Sequence, residues 1–193
     1  TVAVNQSVKR VGVVSGHWKN DSGAVCANGL TEEQVNLTIA SLVQQKLTDE
    51  GFEVDLLQEK DPRLSQYQAI ALISIHADTC EFLNDLATGF KVAAALETAY
   101  PENASRLTNC LIDRYGKTTG LPFKNTTTPD MTSYHAFGEI HSDTPAVIIE
   151  TGYLNLDQQI LTQKPELTAQ GLVDGLLCYI RNESISPTQQ TTP

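Results

Sequence analysis

Three short apolar runs in this chain each end in a side chain able to bind a metal. Val11, Val13 and Val14 lead into Ser15, Gly16 and His17. Leu72, Ile73 and Ile75 lead into His76, Ala77 and Asp78, and Val147, Ile148 and Ile149 lead into Glu150. Runs of this length, bounded by polar residues, read as buried strands. Between them lie segments of helical period. Thr31, Glu32, Glu33 and Gln34 form a capping-box pattern, in which a hydroxyl serves a free N–H and a Gln stands three positions later. A helix should run from there to about Glu50, with Val35, Ile39, Leu42, Val43 and Leu47 as its apolar stripe and Gly51 just past its end. Further strands are expected at 52–57 and 89–96, with the strand of His76 starting near Ala69 and that of Glu150 covering 146–149. Further helices are expected at 101–115 and 168–181, the latter packing through Leu172, Val173, Leu176, Leu177 and Ile180. Strands alternating with helices predict an α/β fold: a mostly parallel twisted sheet with helices on both faces, in a single domain. Such sheets bind ligands beyond the carboxyl ends of their strands. His17, His76 and Glu150 all fall at that edge.

The length of 193 residues fits one domain with a sizeable core, and 40% apolar against 19% charged residues marks a globular chain. A net charge of −10 argues against nucleic acid as a partner, because phosphate binding needs a basic surface. No apolar run is long enough to span a membrane. There is no internal repeat. Residues 1–9 read as a flexible N-terminal segment, 10–183 as the folded domain and 184–193 as a polar tail or linker. A monomer is expected.

Taken singly, a strand-end histidine reads first as a hydrogen-bonded structural residue. Glu150 is harder to dismiss, because a carboxylate at the end of a buried strand needs a cation, a donor or a job. Glu32 and Glu33 both suit the first turn of a helix, where acidic groups complement the dipole. Together the residues suggest a metal centre. Zinc takes neutral imidazole and carboxylate ligands, and a catalytic site keeps three of them plus water. His17, His76 and one glutamate supply that set, and a second glutamate could take a proton from the water. Spacing does not say which glutamate has which role.

Six stretches, "GHW", "NGLTEEQVNLTIA", "GFEVDLL", "LISIHAD", "TGFKV" and "TPAVIIETGYLN", occur in an order that resembles the zinc-dependent N-acetylmuramoyl-L-alanine amidases. The resemblance covers about residues 10–181. It implies that His17, Glu32 and His76 bind Zn²⁺, with Glu32 rather than Glu33 in the register, and that Glu150 is the catalytic glutamate. It also implies a peptidoglycan or muropeptide substrate, cut between N-acetylmuramic acid and L-alanine. The chain departs from the family in having Trp18 and Lys19 where two glycines are usual, a short link before the His76 strand, and a long stretch "DMTSYHAFGEIHSDTP". His135, Glu139 and His141 in that stretch either line the cleft or are ordinary loop residues; the second is the expectation.

Other readings are a zinc peptidase of stem peptides, a wall-binding module that does not cleave, and a structural or interaction protein. A binder has no need of Glu150. The cysteines form no Cys-x-x-Cys pair, which argues against a thiolate zinc site. Cys26 and Cys80 lie in loops after the first and third strands and could join in a disulfide if both loops crown one sheet edge. Cys110 and Cys178 fall on helices and are expected as buried thiols. An enzyme of peptidoglycan works outside the cytoplasmic membrane, so an extracytoplasmic location is expected, with an export signal in a longer precursor.

Overall fold

The computed structural model describes residues 9–185; residues 1–8 and 186–193, which hold most of the two terminal segments read above, lie outside it. Strands β1 (Arg10–Ser15), β2 (Glu53–Leu57), β3 (Ala71–Asp78), β4 (Lys91–Ala94) and β5 (Ala146–Tyr153) form one sheet in the order β2-β1-β3-β5-β4. Neighbours are parallel except β4, which runs antiparallel to β5. The helices are α1 (Glu32–Asp49), α2 (Pro101–Thr119), α3 (Pro129–Thr132), α4 (His135–Glu139), α5 (Gln158–Gln163) and α6 (Pro165–Ile180).

Helices occupy both faces, but unequally. On one face Val11, Val13, Ile73, Ile75, Val147 and Ile149 pack against α1, α2 and α6. On the other, Val14, Leu72 and Ile148 cluster with Leu64 of a 3₁₀ turn, with Tyr67 and with side chains in and beside the one-turn helices α3 and α4, such as Met131, Tyr134 and Ala136. β1, β3 and β5 are therefore covered on both sides, which is why they read as near-continuous apolar runs.

The start of α1 is set by its capping box. The Gln34 N–H donates to the Thr31 hydroxyl and the Thr31 N–H donates to the Gln34 side-chain oxygen, each at 3.3 Å. Gly51 follows its end at φ 87°. Several boundaries differ from the sequence reading; the strand expected at 89–96 is confined to Lys91–Ala94. α2 runs to Thr119, where Gly120 ends it in the left-handed region at φ 75°. α6 begins at Pro165, a residue whose fixed φ suits a first helical position. β5 continues to Tyr153, so Glu150 lies inside the strand and not after it.

The expectation of free thiols at Cys110 and Cys178 is wrong. They form a disulfide between α2 and α6, Cα atoms 5.7 Å apart. The two helices approach closely because Gly175 has no side chain: a Cβ there would stand 2.9 Å from the Leu111 Cα. Helical period shows which face of each helix is apolar; it does not show which helices face each other. The second disulfide, Cys26–Cys80, joins the loops after β1 and β3 as expected.

The Cys110–Cys178 bridge closes a loop of 68 residues. Chain entropy assigns such a crosslink about 4 kcal/mol of stability. Cys110→Ala with Cys178→Ala should therefore lower the thermal midpoint by roughly 8–16 °C in a domain of this size. Calorimetry of the double variant beside the parent protein checks it.

Candidate active site

The loop after β1 delivers His17 in an uncommon backbone conformation. Its φ is 65°, a region that residues with a side chain enter rarely. This turns the ring back over the sheet edge. Nδ1 lies 2.5 Å from an Asp21 carboxylate oxygen and Nε2 lies 3.2 Å from Glu32 Oε2.

Glu32, the first residue of α1, points into the molecule. Its Oε1 accepts from the Asn36 side-chain amide and the Ala77 N–H and lies 3.2 Å from His76 Nδ1. Its Oε2 accepts from the Ala24 N–H at 3.1 Å. One carboxylate thus ties together the loop after β1, helix α1 and strand β3. Glu33, one position on, is absent from this cluster. Asn36 sits one turn after Glu32 on the same helix face, and its amide also donates to the Gly16 carbonyl.

His76 lies under this bridge, buried near the end of β3. A Cβ on Gly16 would stand 2.4–2.6 Å from three atoms of its ring, so only glycine fits there. In the sheet register His76 lies beside Glu150, and Glu150 lies beside Lys91. Paired positions on adjacent strands face the same way, so all three side chains meet on one face. The Lys91 ammonium bonds the Asp78 carboxylate.

Burial opposes the charge of Glu32, but the two imidazoles outweigh it and hold the carboxyl well below the usual carboxylate range. Burial also lowers the His17 pKa, yet Glu32 and then Asp21 carry it up to about 9. Glu150 goes the other way. Burial pushes it up to about 7, with the His76 charge opposing and the nearby Glu32 and Asp78 carboxylates adding.

His17, Glu32, His76 and Glu150 line one cavity of about 560 Å³ at the carboxyl edge of the sheet. His135 lines it too, from α4. It is not the ordinary loop residue expected: its Nε2 lies 2.8 Å from Glu59 Oε1 and its Nδ1 2.8 Å from Glu139. The expectation holds for His141, which does not line the cavity and pairs with Asp143. Glu139 reaches the site only through His135. Glu59 was missed by the sequence reading. It is buried at the floor beside His76, and the charges there outweigh its burial and bring its pKa down to about 2. A signal was present, since Glu59 follows the apolar end of β2 by two residues, as His17 follows β1.

The residues fit a zinc ion on the chemistry of the donors. His17, Glu32 and His76 each offer one ligand atom, all within 4.8 Å of one another. Two imidazoles and a carboxylate form a set suited to zinc. Beside them, Glu150 Oε2 is buried without a hydrogen-bond partner. Polar atoms so placed are rare unless a ligand or water answers them.

The family model for N-acetylmuramoyl-L-alanine amidase matches residues 11–177, and the chain belongs to that family. It is 30% identical over 184 residues to N-acetylmuramoyl-L-alanine amidase LytC of Bacillus subtilis (strain 168), a match covering 86% of this chain and 34% of LytC. The chain thus spans about a third of that relative's length. Among solved structures it resembles the catalytic domain of the amidase CwlV from Bacillus (Paenibacillus) polymyxa var. colistinus. There the TM-score is 0.68 at 25% identity, over 90% of this chain and 98% of that one. The fold also matches the amidase AmiC2 of Nostoc punctiforme, with a TM-score of 0.72 at 22% identity over 89% and 97% of the two chains.

The contact between Gly16 and His76 generates a direct test. Gly16→Ala should leave a folded protein whose His76 ring is driven off the Glu32 carboxylate. A crystal structure of the variant, or the nitrogen shifts of the imidazole, reads the displacement.

Proposed function

We propose that residues 10–183 form a zinc-dependent N-acetylmuramoyl-L-alanine amidase domain. It would hydrolyse the amide between the lactyl group of N-acetylmuramic acid and L-alanine in peptidoglycan or muropeptides. The observation that carries this reading is the convergence of His17, Glu32 and His76 within 4.8 Å, beside the unpartnered Glu150 carboxylate oxygen, in a chain of the amidase family.

His17, Glu32 and His76 would hold the ion. When bound, zinc supplies a Lewis acid for the scissile carbonyl and lowers the pKa of a water it holds. The protein's own part is proton transfer and placement. Glu150 takes the proton of the attacking water on its carboxylate and gives it to the nitrogen of the leaving L-alanine amine. A carboxyl pushed up to about 7 can do both near neutral pH. Glu32, held anionic by two imidazoles, is suited to ligation and unsuited to that shuttle. The Asp21 carboxylate at His17 Nδ1 orients the ring so that Nε2 faces Glu32.

The substrate lies outside the cytoplasmic membrane, so the domain is proposed to act extracytoplasmically. Among the described residues no helix is long and apolar enough to cross a membrane.

Purified protein incubated with sacculi should release peptides whose new amino terminus is L-alanine, detected by amine labelling and mass spectrometry. New termini elsewhere in the stem would make it a peptidase instead. Chelation should abolish the release and added Zn²⁺ should restore it. Glu150→Gln should keep the zinc and lose about 10²–10⁴-fold in turnover. Near-normal turnover in that variant would remove Glu150 from the reaction.

A further inference from the structure

Glu59 makes contacts that the site described so far leaves without a purpose. It stands beyond the end of β2, an edge strand, and is 5% exposed. Its Oε2 accepts the His17 backbone N–H at 2.7 Å and lies 3.5 Å from His76 Nε2. Its Oε1 takes His135 Nε2 at 2.8 Å. Its own N–H donates to the Trp18 carbonyl at 3.3 Å, so the segment is stitched to the His17 loop in both directions.

Each contact acts on a group with a problem. A non-glycine residue in the left-handed region is strained and persists only where its surroundings hold it. The N–H of that same residue, His17, donates a short hydrogen bond to the Glu59 carboxylate, a strong type of bond. The ring of His76 turns Nδ1 to Glu32 and leaves Nε2 without a hydrogen-bond partner, with Glu59 the carboxylate across from it. A ligating histidine commonly presents its second nitrogen to a carboxylate, which fixes tautomer and ring angle. His17 has Asp21 in that place. For His76 the carboxylate in ion-pair range of Nε2 is Glu59, at 3.5 Å. His135 then holds Glu59 from the cavity side.

We propose that Glu59 is a positioning residue of the metal centre: it fixes the backbone of His17 and the ring of His76 together, with His135 as its outer support. The proposal rests on the zinc reading above. It asks Glu59 to touch neither substrate nor the reacting atoms.

Zinc affinity is the readout, measured by competition with a chromophoric chelator on Glu59→Gln, Glu59→Ala and His135→Ala. Glu59→Gln keeps the shape and can still accept from the His17 N–H, so it guards against simple misfolding; the signal of Trp18 and near-UV dichroism verify the fold. Loss of a carboxylate behind a ligand typically costs 10–100-fold in metal affinity, and about that is expected for Glu59→Gln. Glu59→Ala should lose more and His135→Ala less. With zinc in excess, kcat on muropeptides should return close to the parent value with KM unchanged. Unaltered zinc affinity in Glu59→Gln and Glu59→Ala overturns the proposal. So does a fall in kcat that excess zinc does not repair, which would make Glu59 a catalytic residue. A parent protein that binds no zinc in the same titration removes the metal reading itself, and this inference with it. A parent that binds zinc while the variants match it removes the inference alone.

Discussion

The carboxylate of Glu32 is the constraint on which the arrangement of the site depends. It is buried, charged and answered on every side: by the backbone of Ala24 and Ala77, by the amide of Asn36 and by two imidazoles. A buried charge stripped of its partners costs about 3–5 kcal/mol, so none of these groups is free to move independently. Because those partners belong to the β1 loop, to α1 and to β3, the position of one side chain fixes the meeting point of three elements. The absence of a side chain at Gly16 lets the His76 ring come close enough to complete it.

Around this centre the carboxylates are sorted by their neighbours. Glu32 and Glu59 face histidines and stay ionised, while Glu150 faces the same His76 with less compensation and holds its proton more tightly. Lys91 belongs to the same face of the sheet and is engaged by Asp78, so the cavity does not carry an unanswered surplus of either sign at that corner. Differences in role among chemically alike residues thus follow from which strand or loop delivers each one and what stands opposite.

Much of this was legible in the sequence for a simple reason. Strands covered on both faces leave apolar runs, and the runs mark where the sheet ends. His17, His76 and Glu150 were found by that mark, and Glu32 by the capping box that precedes a helix. The family resemblance then chose Glu32 over Glu33, and the structure shows why position 32 is the inward one. What escaped was either short or non-local. α3 and α4 are single turns and have no period to detect, so His135 looked like a loop residue. β2 is an edge strand of weaker apolar pattern, and Glu59 beyond it drew no notice. The pairing of Cys110 with Cys178 depends on two helices meeting across the fold, which neither helix records in its own residues.

The order of the elements along the chain also has a meaning in time. His17, Glu32 and His76 come from the loop after β1, from α1 and from β3, whereas Glu150 belongs to the last strand, 74 residues after His76. A ribosome therefore emits the whole donor set, and the Cys26 and Cys80 that clasp its loops, well before the group that is proposed to move the proton. A domain, however, generally folds as a unit. The early residues that surround Glu32 and the late one opposite them therefore come together when β5 enters between β3 and β4, so the two halves of the chain complete one site in a single event.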